Sequence, residues 1–279
     1  MKSKVIYKRN IQPKKSLGQH FLKDFSVAER IAGVIAPFPD LPVLEVGPGT
    51  GVLTQFLLKN ERDLTLVELD KDSVAYLNKH YPALKDRIIE ADFLKLDLNG
   101  LFPNSFCVIG NYPYNISSQI FFKVLDYKDK IPCCAGMLQK EMAERMASRP
   151  GKKAYGIISV LLQAWYDIEY LFTVEPEVFD PPPKVKSAVI RITRNARTDL
   201  GCDEALFKTV VKTAFNQRRK TLRNSLKTLL EKDNPISTLP VFDRRPEQLS
   251  VEEFVELTKL VTSYKLQVTS AASLVTCNS

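Results

Sequence analysis

Residues 43–51 read Val-Leu-Glu-Val-Gly-Pro-Gly-Thr-Gly and are the strongest indication of the fold in this sequence. The apolar run Val43–Val46 leads directly into three glycines, and a helical pattern follows at Leu53–Lys59. Glycine permits a tight turn and lets a ligand approach the backbone, while the first turn of a helix offers free N–H groups. The stretch therefore predicts a strand, a glycine turn and a helix that together bind a ligand at the carboxyl end of the strand.

The same alternation of strand and helix continues along the chain. Further apolar runs predict strands at Leu64–Glu68, Arg87–Ile89, Phe106–Gly110 and Cys133–Leu138. Apolar residues three and four apart predict intervening helices at Ser73–His80 and Ser117–Leu125. Such alternation gives right-handed crossovers and a mostly parallel, doubly wound α/β sheet. We expect two later strands to close this sheet as an antiparallel edge pair, Ile168–Val174 and Ser187–Thr193.

The character of the sequence changes after about Thr198. Amphipathic patterns without strands predict three helices, at Glu204–Asn216, Arg218–Leu230 and Val251–Tyr264. We therefore divide the chain into a basic arm at 1–15, an α/β domain at 16–197, a small all-helical domain at 198–267 and a tail at 268–279 that we expect to be disordered.

The positive charge of the chain is concentrated in two places. The formal net charge is +8, and residues 1–15 carry six basic groups without an acid. Twelve Lys and Arg residues lie between Lys184 and Lys227, against three acids. Such clusters are typical of proteins that bind a polyanion, usually a nucleic acid. The alternative is an ordinary solvated basic surface.

Cysteine usage and hydropathy exclude several classes of protein. The chain has five cysteines, an odd number, and they lack the spacing of metal ligands. It has two histidines. We therefore expect reduced thiols in the cytoplasm and no metal site. No apolar run reaches the roughly 18 residues that span a bilayer. The basic arm has no apolar core, unlike a secretory signal. We therefore expect no membrane association.

Acidic residues at later strand ends complete a predicted cofactor pocket. Glu68 lies 21 residues after Gly47, where its carboxylate can accept from both hydroxyls of a ribose. Asp92, after the third strand, can accept from a cofactor's adenine amine; alternatively it caps a helix or is a solvated loop acid. These features suit NAD as well as S-adenosylmethionine. Two details favour S-adenosylmethionine: Pro48 removes a donor from the turn, and the third glycine follows Gly49 by two positions instead of three.

The fourth strand leads into Asn111-Tyr112-Pro113-Tyr114, which we predict to be the catalytic centre. The amine of adenine is a poor nucleophile because its lone pair is delocalised into the ring. Acceptance of both N–H hydrogens, by the Asn111 side-chain oxygen and the Tyr112 carbonyl, would free that lone pair. Pro113 would fix the direction of the carbonyl, and Tyr114 would stack on the base. The alternative for this tetrapeptide is a plain turn after a strand.

Other residues are candidates for holding RNA. Phe179, just before three consecutive prolines, could cover the opposite face of the target base, although a buried aromatic role fits its position nearly as well. The predicted helix that begins at Arg218 carries cations that would grip phosphates without reading sequence, Arg218, Arg219, Lys220 and Arg223.

At these residues the chain resembles the KsgA-type ribosomal RNA adenine dimethyltransferases, over about 250 residues. The blocks that carry the resemblance are Lys15–Leu22, Glu45–Gly51, Asn111–Asn115, Phe179–Val189 and Ala214–Leu226. The resemblance implies a Rossmann-like class I methyltransferase sheet and S-adenosylmethionine as cofactor. It places the cofactor contacts at His20, Leu22, Gly47, Glu68, Asp92 and Asn111, with Gly49 in the same glycine turn.

The resemblance also implies a substrate. Members of the family transfer two methyl groups to each of two adjacent adenosines in the 3′-terminal hairpin of 16S rRNA, within the small ribosomal subunit, late in its assembly; we expect this chain to act as a monomer. Two residues depart from the usual pattern. Tyr112 stands where leucine is common, and His20 where asparagine is common, but both positions contribute backbone atoms, so we expect little effect.

Three other functions compete with this interpretation. A large-subunit rRNA adenine dimethyltransferase shares the fold, but Gln217–Leu226 argues against it. A non-catalytic assembly checkpoint or a binder of RNA or DNA does not explain why the strand-end acids and Asn111 occur together. A nicotinamide dehydrogenase would need hydride-transfer residues near the fourth strand, and the sequence offers none.

Overall fold

The computed structural model describes residues 12–14, 17–230 and 234–276, with side chains described as far as residue 267. Most of the predicted basic arm, residues 1–11 and 15, lies outside the described residues. Within the described part, the chain forms two compact units. The first extends to Ala143 and also contains Ile168–Arg194, and the second contains Glu144–Asp167 and the described residues from Asn195 onward.

The first unit is built on a seven-stranded sheet with the strand order β4-β3-β2-β5-β6-β9-β7. The strands are β2 (Val43–Val46), β3 (Leu64–Glu68), β4 (Ile88–Glu90), β5 (Cys107–Asn111), β6 (Cys133–Gln139), β7 (Tyr166–Val174) and β9 (Ser187–Arg194). Five neighbouring strands, β4 to β6, run parallel, and β9 runs antiparallel to β6. The predicted α/β sheet is confirmed.

Register brings the carboxyl ends of these strands together. Glu45 on β2 pairs with Leu66 on β3 and with Ile109 on β5. Glycine turns and loops that follow the strands therefore open at one edge of the sheet, the usual ligand edge of an open α/β fold. A separate two-stranded sheet pairs β1 (Phe21–Leu22) with β8 (Phe179–Asp180).

Apolar helix faces cover this sheet. The helices of the first unit are α1 (Phe25–Gly33), α2 (Thr54–Lys59), α3 (Lys71–His80) and α4 (Ser117–Asp126). The core cluster joins buried residues of α1, such as Ile31, with β-strand residues such as Ile109 and Ala135, both fully buried. Asp24 caps α1 by accepting from the Ser26 and Val27 N–H groups.

The second unit is helical. It contains α6 (Ile157–Gln163), α7 (Glu204–Asn216), α8 (Leu222–Ser225) and α9 (Val251–Thr276), and α5 (Lys140–Met146) leads into it. Helix α7 begins at the position predicted, because the Asp203 carboxylate accepts from the Leu206 N–H at 2.6 Å. Residues 144–167, which the sequence analysis placed with the sheet, belong to this compact unit.

The predicted helix Arg218–Leu230 is wrong in extent. Regular helix is limited to the four residues of α8, and Arg218, Arg219 and Lys220 lie in the turn before it. The cause is tertiary: the Leu222 N–H donates to the Arg244 carbonyl instead of to the preceding turn of a helix. Like charges four residues apart, at Arg219 and Arg223, also disfavour a helix through this segment.

The tail that we expect to be disordered begins at residue 268, and its residues 277–279 lie outside the described residues. Helix α9 continues to Thr276, since 251–276 contain neither glycine nor proline to end it. It begins with a capping box in which Ser250 and Glu253 exchange hydrogen bonds between side chain and backbone.

Candidate active site

A cavity of about 310 Å³ lies at the carboxyl ends of β2, β3 and β5. It is lined by all the predicted cofactor residues, His20, Leu22, Gly47, Gly49, Glu68, Asp92 and Asn111. The other three residues of the predicted catalytic centre also line it, Tyr112, Pro113 and Tyr114. The fold thus brings together residues from five separate segments.

The glycine turn needs glycine for both conformation and space. Gly49 has φ +57°, and a Cβ there would lie 3.1 Å from the Phe21 ring. Gly51 has φ +78°, and a Cβ there would lie 2.4 Å from the Tyr81 ring, whose hydroxyl donates to the Gly51 carbonyl. The turn is therefore closed from behind by two aromatic rings, which keeps its backbone close to the cavity.

Glu68 fixes the position of the glycine turn. Its Oε2 accepts from the Gly49 N–H at 2.9 Å, and its Oε1 accepts from the N–H groups of Leu69 and Asp70, also at 2.9 Å. Burial raises the pKa of this carboxyl, and the backbone donors oppose that increase. A carboxylate has about four acceptor positions, and three are occupied, so Glu68 retains about one for a ligand hydroxyl.

A lysine that the sequence analysis did not single out reaches this acid network. The ammonium of Lys14 contacts the buried carboxylate of Asp70 and lies 2.7 Å from Asp72. Asp70 in turn donates its N–H to Glu68, and the pKa of Asp70 is lowered because hydrogen bonds from Lys14, Gln19 and Ser73 outweigh the opposing burial. The contact joins residues 56 apart in sequence, so no local pattern could reveal it.

Glu45 is a second buried acid beneath the turn. Its carboxyl is 1% exposed, lines the cavity and accepts a hydrogen bond from the Thr54 hydroxyl at 2.8 Å. Burial, with a smaller contribution from Glu68, raises its pKa to about 8. Glu45 is therefore protonated over most of the physiological pH range.

Asp92 caps the turn after β4 and also lines the cavity. Its Oδ1 accepts from the Leu94 N–H at 3.0 Å, which caps the turn after β4, and its Oδ2 lies 3.8 Å from Lys95. The residue also lines the cavity. Its capping bond occupies one oxygen, so the other is available to a ligand.

Asn111 is oriented by a single backbone contact. Its Nδ2 donates to the His20 carbonyl at 3.2 Å. Within the described part of the chain, its Oδ1 accepts no hydrogen bond. The amide is thus held with its donor engaged and its acceptor available.

The Tyr112 side chain is buried against the neighbouring strand β6. Its ring is 1% exposed and its hydroxyl donates to the Ala135 carbonyl at 2.7 Å on the neighbouring strand. The ring occupies space above Gly110 and Gly136, where added Cβ atoms would lie 2.9 and 2.7 Å from it. The side chain anchors the catalytic loop to β6. Among the described residues we find no hydrogen bond to the Tyr112 carbonyl.

Tyr114 is fixed at the mouth of the site by two neighbours. Its ring stacks on His20 with centroids 5.4 Å apart, and its hydroxyl contacts the Ser187 hydroxyl. His20 Nδ1 lies 2.9 Å from the Pro181 carbonyl. The His20 ring therefore leaves only one face of Tyr114 for a base.

Phe179 lies in the core and not at the cavity. It is fully buried, belongs to the core cluster and pairs with Leu22 in the small sheet. It is absent from the lining of the cavity. The buried aromatic role therefore fits the observed position of Phe179, because the β1–β8 pairing carries its side chain into the core, and the role of covering the target base stays a prediction.

The four predicted phosphate-binding cations differ in their partners. Arg218 pairs with Glu247 at 2.8 Å, and Arg223 pairs with Asp243 at 2.7 Å. Arg219 and Lys220 are exposed and form no ion pair with any described residue. Only the last two are available to a polyanion without breaking an existing contact.

Comparison with known proteins adds to this geometry. Residues 10–262 match the family described as ribosomal RNA adenine dimethylase. The chain belongs to this family. It is an rRNA adenine dimethyltransferase, and its family and fold imply the use of S-adenosylmethionine.

The similar curated proteins carry a more specific name. The ribosomal RNA small subunit methyltransferase A of Parabacteroides distasonis is 73% identical over 250 residues, which cover 90% of this chain and 94% of that protein. The protein of the same name from Bacteroides thetaiotaomicron is 66% identical over 252 residues, 90% of this chain and 94% of that protein.

Solved structures agree on the fold. A dimethyladenosine transferase from Plasmodium falciparum matches with a TM-score of 0.74 at 22% identity, covering 88% of this chain and 98% of that one. The 23S rRNA methyltransferase ErmE matches with a TM-score of 0.62 at 25% identity, covering 85% and 99%. The class I methyltransferase fold is thereby confirmed.

The part of the chain that the structure describes contains no group of three or more side chains suited to hold a metal ion. None of its helices is both long and apolar enough to cross a membrane.

Proposed function

We propose that this dimethyltransferase methylates the N6 amines of two adjacent adenosines in the 3′-terminal hairpin of 16S rRNA, within the small ribosomal subunit. The names of its relatives support the small subunit as partner. Unpaired hairpin bases suit a pocket that takes a base out of its stack, because little pairing energy is lost. We expect a monomer that acts in the cytoplasm, where small subunits are assembled.

The residues around the cavity fit S-adenosylmethionine. Glu68 has about one remaining acceptor position for a ribose hydroxyl, and Asp92 has an oxygen for an adenine amine. The turn at Gly47 and Gly49 allows close approach of the methionine part. We propose that the His20 and Leu22 backbone, from the segment that lines the cavity, completes the cofactor contacts. When bound, the cofactor supplies an electrophilic methyl group on a sulfonium.

The orientation of Asn111 carries the catalytic proposal. Because its Nδ2 is engaged by the His20 carbonyl at 3.2 Å, Oδ1 is the atom that accepts from the target amine. The Tyr112 carbonyl accepts the second N–H, with Pro113 limiting its direction. These two bonds move the N6 lone pair out of conjugation and align it for transfer. N6 gains a methyl and releases one proton to solvent at each step.

In the second methyl transfer the same N6 atom already carries one methyl group. After the first transfer N6 carries one hydrogen, so only one of the two acceptors is used at a time. Tyr114, with one face covered by His20, holds the adenine ring with its other face through both steps. No shifted side-chain pKa is needed in this mechanism.

Asn111→Ala tests the proposal. We expect wild-type affinity for undermethylated small subunits but a loss of methyl transfer of roughly a hundredfold or more, the size seen when one transition-state hydrogen-bond partner is removed. Transfer is measured with radiolabelled cofactor. Asn99→Ala, at an exposed loop position, is the matched control. Full activity of Asn111→Ala would refute the assigned role.

The substrate is tested separately from the chemistry. Dimethyladenosine is mapped in both rRNAs from cells that lack this gene. We expect its loss from the 3′-terminal hairpin of 16S rRNA. Loss from large-subunit rRNA would favour the rival dimethyltransferase function, and unchanged modification would favour a non-catalytic assembly role.

A further inference from the structure

The second unit carries a cluster of cations that only the tertiary structure assembles. Three belong to the loop 149–153, Arg149, Lys152 and Lys153, and two to the turn before α8, Arg219 and Lys220; all five side chains are exposed. We call this set the two-loop basic surface. Its two segments are more than sixty residues apart in the sequence.

Two residues join the segments. The Gly151 N–H donates to the Glu247 carbonyl at 2.7 Å, and the Glu247 carboxylate accepts from Arg218 Nε at 2.8 Å. Arg218 also donates through Nη2 to the Lys152 carbonyl at 3.4 Å. Arg218 therefore connects the two loops, and Arg219 and Lys220 follow it directly in the chain.

The base of the loop is held in place. Gln163 Nε2 donates to the carbonyls of Met146 and Ser148, each at 2.8 Å, and the Ser159 hydroxyl donates to the Arg145 carbonyl. These bonds satisfy carbonyls at the end of α5 and attach the loop to α6. The cations thus project from a fixed backbone, which lowers the entropy cost of binding.

The charges of the two-loop basic surface are unpaired within the described residues. Glu247 is engaged by Arg218, and Asp243 by Arg223. None of the five cations forms an ion pair with a described residue, and the segment 205–230 contains no acid. Like charges in one place repel each other, and this repulsion is relieved by a polyanion.

We propose that the two-loop basic surface binds the phosphate backbone of the RNA substrate. The inference rests on the proposed function and adds the loop 149–153 to the RNA contacts. Lysine and arginine at this density grip phosphates without reading sequence. Double-stranded rRNA near the target hairpin fits, because an A-form helix presents phosphates rather than readable base edges. The surface contributes affinity for the subunit and takes no part in methyl transfer itself.

The double variant Lys152→Gln with Lys153→Gln tests this surface. Binding to undermethylated small subunits is measured over a range of salt concentrations. The slope of log K against log salt is negative. Each lost phosphate contact makes this slope less steep by roughly 0.7–0.9. For two contacts we expect a slope less steep by about 1.5 and, if the two proteins bind equally at 1 M salt, affinity about thirtyfold weaker at 0.1 M salt. Methyl transfer at saturating subunit should match wild type.

The control removes the same charge elsewhere. Lys79→Gln with Lys85→Gln changes two exposed lysines of the first unit and should leave the slope unchanged. Cofactor affinity and the urea midpoint of each variant verify folding. An unchanged slope in the loop variant, or an equal decrease in both variants, would overturn the inference. Methylation by wild type, measured on the same subunits, tests the proposed function independently.

Discussion

Replacing Glu45 by glutamine tests the energetic cost of the buried acid beneath the glycine turn. In the folded chain the Glu45 carboxyl keeps its proton up to a pKa of about 8, against 4.5 for the free side chain. The unfolded chain releases this proton above about pH 4.5, so between these values the folded state binds more protons. The free energy of unfolding therefore falls as the pH rises through this window.

The size of the effect follows from the pKa difference. One pKa unit corresponds to about 1.4 kcal/mol, so Glu45 lowers the stability at pH 7 by about 3 kcal/mol relative to a residue that never ionises. Glutamine fills the same volume, and its amide oxygen can still accept from the Thr54 hydroxyl. Glu68, the other acid facing Glu45, is present in both proteins and cancels in the comparison.

Urea unfolding followed by circular dichroism measures the difference at pH 5 and at pH 8. We expect Glu45→Gln to have a higher free energy of unfolding than wild type. This difference between the two proteins should be several kcal/mol larger at pH 8 than at pH 5. Glu90→Gln, an exposed position of the same sheet, should change stability by no more than about 0.5 kcal/mol at either pH. An equal difference between Glu45→Gln and wild type at both pH values would refute the reasoning.

Two further predictions concern residues that position the site. Lys14→Met leaves the buried Asp70 carboxylate without its cation, so cofactor affinity measured by calorimetry should fall roughly tenfold. The control Lys71→Met, at an exposed side chain, should keep the wild-type affinity. Equal cofactor affinities of the two variants would contradict the coupling. Tyr112→Phe removes the hydrogen bond to Ala135 and should lower stability by about 1–2 kcal/mol in urea, yet retain most methyl transfer; inactivity would show that the phenol itself is needed.

Much of the fold is readable from local pattern. The bounds of β2 and β3 agree residue for residue with the apolar runs, and α7 and its beginning agree as well. Buried parallel strands form continuous apolar runs, and amphipathic helices repeat every three to four residues. These signals depend only on which residues are apolar and on their spacing.

Helices without such a signal were missed or misplaced. Residues 157–163 form α6, but five successive residues of it, Ile158 to Leu162, are buried, so the run has no amphipathic pattern. The expected helix at Arg218–Leu230 is interrupted because Leu222 donates to Arg244. Burial on all sides removes the pattern in the first case, and a long-range contact outweighs local propensity in the second.

The candidate site divides in the same way. Local sequence predicts the parts of the site, namely a glycine turn, acids at strand ends and Asn111-Tyr112-Pro113-Tyr114, because each part follows a strand whose carboxyl end lies at the ligand edge. Packing of the whole fold is instead what buries Phe179, brings Lys14 to Asp70 and joins the loop 149–153 to Arg218. Those contacts join segments far apart in the chain, and their geometry depends on how whole elements pack, which no local spacing encodes.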